Sequence, residues 1–202
     1  MSGPVPAIPA SDVVVGEDGL ARCRWGAHDA EYRRYHDEEW GTPLHGDRPL
    51  FEKMSLEGFQ AGLSWITILR RRPAFREAFR GFEIDAVASM TAADAEALVL
   101  DARIIRNRAK IEATISNARI VRELVADDAG ALDRLMWSFA PPPRDSAPAT
   151  FAEVPAVTPD SLAMSAALKK IGLRFVGATT MYALMQSTGM VDDHVTGCWR
   201  AA

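Results

Sequence analysis

The stretch Leu98-Val99-Leu100-Asp101-Ala102-Arg103-Ile104-Ile105-Arg106-Asn107-Arg108-Ala109-Lys110 decides the fold, because it leaves one helical pattern, crosses a short apolar link and enters another. That is the form of a helix-hairpin-helix around residues 98–110. In such a unit the turn aims backbone N–H groups at one or two phosphates, with Ile104 and Ile105 rooting it in the core. Arg103, Arg106, Arg108 and Lys110 would add charge toward a DNA backbone. Taken alone, the same residues fit an ordinary helical corner with an exposed basic edge equally well.

Outward from the hairpin the pattern stays helical, with no sustained strand alternation and no internal repeat, so the expected class is all-α. Helices are expected over 29–37, 47–69, 73–79, 91–100, 107–126, 132–139, 161–171 and 176–187. Thr91 with Asp94 three residues on makes an N-cap, and Pro73 suits the first turn of a short helix. The run from Pro141 to Pro159 cannot sustain a helix and is expected to cross the surface as a loop around 141–159. Residues 1–20 read as a flexible tail, leaving 21–202 as a single helical domain.

Composition narrows the class. A chain of 202 residues supports one well-buried core, and no apolar run reaches the roughly 18 to 20 residues a membrane helix needs. The amino terminus lacks the basic start and apolar stretch of a secretory signal, and the two cysteines sit far apart, so a cytoplasmic protein with reduced thiols, a monomer, is expected. A net charge of -4 argues against non-specific coating of nucleic acid. A local basic face would need the clusters Arg70-Arg71-Arg72, Arg103 to Lys110, and Lys169-Lys170 with Arg174 to converge; singly, each reads as a solvated helix end.

Within 56–69 two stripes share helical spacing. Leu56, Phe59, Leu63 and Ile66 form the face expected to meet the core. Glu57, Gln60, Ala61, Ser64 and Trp65 gather a carboxylate, an amide, a hydroxyl and an indole, which suits a ligand pocket. A carboxylate accepts from an exocyclic amine, and an indole offers a π face to a base or a cation. A solvent-facing Glu57 and a merely packed Trp65 account for the spacing equally.

Both cysteines and two of the four histidines fall in two short segments: Cys23 and His36, then His194 and Cys198. The last pair, four residues apart, would share a helical face, and four such ligands suit a closed tetrahedral Zn²⁺ of structural role. The Cys-x12-His spacing is not that of a standard finger, and four residues brought together by chance would look the same.

Several segments together resemble the DNA-3-methyladenine glycosylase I family: Arg22-Cys23-Arg24-Trp25, Tyr35-His36-Asp37-Glu38-Glu39-Trp40-Gly41, Leu56-Glu57-Gly58-Phe59-Gln60-Ala61-Gly62-Leu63-Ser64-Trp65, Ile104-Ile105-Arg106-Asn107-Arg108, and Phe175-Val176-Gly177 through Asp193-His194-Val195-Thr196-Gly197-Cys198. The resemblance runs from about Ala21 to Cys198, with the motifs in the family's order. It implies a helix-hairpin-helix DNA glycosylase fold with a zinc snap joining the two ends of the chain. The zinc ligands would be Cys23, His36, His194 and Cys198, one structural ion per chain. The base pocket would be Trp25, Tyr32, Tyr35, Glu57 and Trp65.

The implied activity is base excision repair: monofunctional hydrolytic excision of 3-methyladenine from double-stranded DNA, leaving an abasic site. N3-methylation makes the base cationic and a good leaving group, so the protein chiefly extrudes and holds it. Glu57 and Tyr35 are the expected catalytic residues, with Trp25, Tyr32 and Trp65 binding the base. The family's hairpin commonly has glycine where this chain has Arg103; a positive φ there would cost on the order of 1 kcal/mol. Many enzymes of the superfamily place an aspartate after the hairpin, whereas Ser116 and Asn117 offer no carboxylate. Lys110 belongs to the hairpin helix, so no Schiff base is expected. The alternative is a non-catalytic helix-hairpin-helix module that binds damaged DNA.

Overall fold

The computed structural model describes residues 12–201; residues 1–11 of the expected tail and Ala202 lie outside the described residues. Its axis is α3 (Asp47–Gln60), where every residue from Leu50 to Phe59 is buried. Four helices cover it: α4 (Trp65–Ala78), α7 (Arg108–Val125), α8 (Ala131–Trp137) and α10 (Ala178–Ser187). Enclosure on all sides explains why polar Glu52, Lys53, Ser55 and Glu57 are interior. A helix with no solvent face must find partners for them inside.

Around that axis lie α1 (Arg24–Ala27), α2 (Ala30–Glu38), α5 (Ile84–Ala88), α6 (Ala92–Leu100) and α9 (Pro159–Lys170). Local chemistry sets several starts. Asp29 accepts from the amides of Glu31 and Tyr32 at α2, and Thr91 with Asp94 closes a reciprocal capping box at α6. Asn107 accepts from the Lys110 amide at α7, whose Ile111, Ile115, Ala118 and Val121 repeat at helical spacing into the core.

Three expectations change. The helix expected over 47–69 is two, broken after Gln60 where Gly62 turns the chain at φ 85°. Leu63, expected in the core, is consequently 43% exposed. Pro73 does not open a helix: it sits inside α4, where burial of Ile68, Leu69 and Phe75 outweighs the lost hydrogen bond. The chain is mostly helical rather than wholly so, because β1 (Val13–Val15), expected within the loose tail, pairs antiparallel with β2 (Ala21–Cys23), Val13 opposite Cys23. The carboxyl-terminal segment joins this hairpin through the Trp199 amide, which donates to Ala21 O at 2.8 Å. Among the described residues no helix is long and apolar enough to cross a membrane.

Candidate active site

A cavity of about 300 Å³ opens between α1, α2, α3, α4 and α10. Trp25, Tyr32, Tyr35, Glu57 and Trp65 all line it. The reason differs from the one expected, since Glu57 and Trp65 stand on different helices and the turn at Ala61–Ser64 folds Trp65 back toward Glu57; Ala61 and Ser64 are not in the wall. Trp25 lies 5.6 Å from Tyr32, 6.3 Å from Tyr35 and 5.0 Å from Trp40 by ring centroids, and Tyr35 lies 5.5 Å from Trp65. The Tyr32 hydroxyl accepts the Ile66 amide at 3.0 Å, which fixes the first turn of α4. The Trp65 indole N–H is buried without an acceptor among the described residues. An unmet donor in an aromatic cavity favours a ligand that brings an acceptor.

Electrostatics single out Glu57 and Lys53, neither more than a tenth exposed. Burial raises the Glu57 carboxyl to about 7, against the pull of Lys53 and the Ser187 hydroxyl. Burial lowers the Lys53 ammonium to about 8, against Glu57 and Glu39. Burial, then Glu57 and Glu39, hold the Tyr35 phenol well above its ordinary range. Phe151 and Val154, from the surface loop, and Ala183, Gln186 and Ser187, from α10, complete the wall together with Trp40 and Gln60. Apart from Gln60 and Trp40, which fall in the motifs that carry the family resemblance, no sequence pattern marked them. A larger recess of about 460 Å³ along the proline loop holds none of the expected site residues, and the Arg144 and Asp193 beside it pair at 2.8 Å.

On the other side of α2 the thiols of Cys23 and Cys198 and an imidazole nitrogen of His36 lie within 4.8 Å of one another, all buried. His36 Nε2 is 3.4 Å from Cys198 Sγ, while its Nδ1 meets Asp37 Oδ1 at 2.8 Å. His194, the fourth expected ligand, lies beside this group of three but outside it: its Nδ1 meets Asp192 Oδ1 at 2.6 Å, its ring centroid is 5.0 Å from that of His36, and its Nε2 is buried without a partner among the described residues. Two glycines permit this packing. A Cβ on Gly26 would stand 2.7 Å from His36 Cβ, and one on Gly41, at φ 72°, 2.8 Å from His194 Cε1. The hydrogen bond between the thiols, opposed by burial and helped by His36, holds Cys198 below the ordinary thiol range, and the same hydrogen bond together with burial pushes Cys23 above it.

The hairpin runs from Asp101 to Asn107 between α6 and α7, with Ile104 buried and Ile105 half-buried beneath it. Ile105 and Arg106 make no backbone N–H hydrogen bond among the described residues, and Arg106 is exposed without an ion pair among them. Arg103 keeps a negative φ, so no backbone strain follows from the missing glycine. Its guanidinium holds Asp101 at 2.8 Å and Glu77 at 2.7 Å, and Arg108 pairs with Glu96. Lys110, expected on the DNA side, is turned inward: its ammonium donates to the carbonyls of Phe59 at 2.9 Å and Ala61 at 2.7 Å, closing the carboxyl end of α3. Of the other basic clusters, Arg71 reaches the hairpin, donating to Ala102 O and Arg103 O, whereas Arg70 goes to Asp29 and Arg72 to Glu39. Asn117 is a strut, donating to Arg174 O and accepting its amide.

The methyladenine glycosylase family model matches residues 25–201. The chain belongs to that family. DNA-3-methyladenine glycosylase 1 of Escherichia coli (strain K12) is 46% identical over 180 residues, covering 89% of this chain and 96% of the relative. The crystal structure of a 3-methyladenine DNA glycosylase I superposes with a TM-score of 0.86 at 43% identity, covering 90% of this glycosylase chain and all of the other. A tyrosine-to-phenylalanine variant of 3-methyladenine DNA glycosylase I, solved in complex with 3-methyladenine, matches with a TM-score of 0.80 at 32% identity over 88% of this chain and 96% of that one.

Proposed function

We propose that this glycosylase hydrolyses the N-glycosyl bond of 3-methyladenine in alkylated duplex DNA, as a cytoplasmic monomer working in base excision repair, and leaves an abasic site. The observation that carries the reading is a buried carboxylate, Glu57, inside an aromatic cavity on a helix-hairpin-helix scaffold. Methylation at N3 fixes a positive charge on the base. A cationic ring is attracted to indole and phenol faces and to a carboxylate, whereas an undamaged neutral base gains little there. The cost of extrusion is smallest for a poorly stacked lesion, so discrimination begins before the pocket is reached.

Trp25 and Trp65 hold the ring, Glu57 accepts from its amine edge, Tyr35 orients it, and Tyr32 keeps Trp65 in place through the amide of Ile66. No carboxylate stands at Ser116 or Asn117, and Lys110 is occupied by α3, so the bond breaks through the leaving ability of the base, with water taking up the sugar cation. Backbone N–H groups at Ile105 and Arg106, with the Arg106 guanidinium, anchor a phosphate. Arg103 and Arg108 add charge from within their existing ion pairs.

One structural Zn²⁺ joins Cys23, His36, His194 and Cys198. The donor set supports it: both imidazoles are gripped at Nδ1 by carboxylates, the arrangement that leaves Nε2 to a metal, and His194 Nε2 is a buried orphan. Four protein donors leave no open position, so the ion's contribution is to pin the amino-terminal hairpin to the carboxyl terminus.

Release of free 3-methyladenine from alkylated duplex tests the activity. Glu57→Gln is expected to lower kcat/KM by about 100-fold, the worth of one strong charge-assisted contact, with folding retained. Release at the wild-type rate would remove Glu57 from the mechanism; a wild-type protein that binds the lesion and frees no base would be a binding module.

A further inference from the structure

Lys53 stands behind the pocket rather than in its wall. Its ammonium lies 4.7 Å from the Tyr35 ring centroid and 5.0 Å from that of Trp65, and it donates to Tyr35 Oη at 3.1 Å. It is 6% exposed. A buried cation beside a site for a cationic base is unfavourable on charge alone, so its contribution must come through a specific contact. The hydrogen bond supplies one. An ammonium can only donate, so Tyr35 Oη must accept from it, and the phenolic proton is turned away from Lys53. A tyrosine fixed in that sense meets the pocket as a donor.

We infer that Lys53 is a positioning residue that commits the Tyr35 hydroxyl to donate to a ring-nitrogen acceptor of the bound base. Electron density returns to the ring nitrogens as the glycosidic bond breaks, and a donor already aimed at one of them favours the departing base over the attached one. The inference deepens the role proposed above for Tyr35 and rests on it. Lys53 also brings positive charge near Glu57, an effect that does not pass through the hydroxyl.

A double-mutant cycle separates the two. Single-turnover release of 3-methyladenine from methylated duplex is measured for wild type, Lys53→Met, Tyr35→Phe and the double variant, with melting temperature followed for each. Lys53→Met is expected to slow release about tenfold in the Tyr35 background beyond any loss it causes in the Tyr35→Phe background, the scale of one hydrogen bond to a charged group. The charge effect on Glu57 appears in both backgrounds and cancels in that difference. Equal losses in the two backgrounds would overturn the role of Lys53 while leaving Tyr35 intact. No loss on Tyr35→Phe alone would remove the hydroxyl, and with it both readings. Should Lys53→Met melt below the assay temperature, Lys53→Gln, which keeps a donor of shorter reach, carries the same cycle.

Discussion

Helix α2 serves two regions that use similar side chains to opposite ends. Tyr35 faces the aromatic pocket; its neighbour His36 faces the cysteine–histidine corner, and Trp25 touches both, 6.3 Å from Tyr35 and 5.3 Å from His36. In the pocket burial raises the Glu57 carboxyl and lowers the Lys53 ammonium from their ordinary ranges, and the Trp65 indole N–H has no acceptor among the described residues. In the corner each imidazole is braced by a carboxylate and packed against a glycine. The pocket thus keeps an unmet donor for a ligand, while the corner spends its polar groups on closing the fold except for His194 Nε2, the atom left to the proposed metal. Substitutions in the corner should move stability, and substitutions in the pocket should move chemistry.

The largest stability effect is expected for Cys198→Ser, which removes one of the four proposed zinc ligands. The melting temperature should fall by on the order of 10 °C, with the rate per folded molecule nearly unchanged; an unaltered melting curve, or freshly purified protein without zinc, breaks the comparison at the corner. Gly41→Ala should cost about 2 kcal/mol in denaturant unfolding, because the left-handed backbone and the His194 ring both oppose a Cβ. A neutral result would show that His194 is free to shift.

In the pocket, pH is the sharper probe. Only the ionised Glu57 attracts a cationic base by charge and accepts hydrogen bonds at both oxygens, and its raised value near 7 places that ionisation in the working range. Activity should therefore rise with pH through about 7, falling roughly fivefold from pH 7 to pH 6, while Glu57→Gln shows no such step. The charge of the lesion itself is fixed by methylation and does not titrate. The smallest effect is expected outside both regions: Arg106→Ala should weaken DNA binding a few-fold and lower the salt dependence by about one phosphate contact, without altering base release once DNA is bound.

Local signals in the sequence carried far. The hairpin and the capped start of α6 are legible from spacing and caps, the metal-type residues are legible as candidates, and the five pocket residues follow only from the motif order that carries the family resemblance. The break after Gln60 was not legible. Leu63 and Ser64 continue both helical stripes, and only the folded chain shows α3 ending, with Gly62 in the left-handed region and the Lys110 ammonium on the carbonyls of Phe59 and Ala61. Lys53 was hidden for the same reason, since a lysine on a helix reads as solvated until the helix is seen to have no solvent side.

By itself, then, the sequence determined a helical chain, read as all-α, with a hairpin between two helices, and supplied the residues for a pocket and a ligand corner. Tertiary structure alone decided that Trp65 returns to Glu57 from a second helix, that Phe151 and α10 close the cavity, and which lysines lie inside. The physical reason is burial: the partner of an interior polar group is set by segments distant along the chain, and no local periodicity records it.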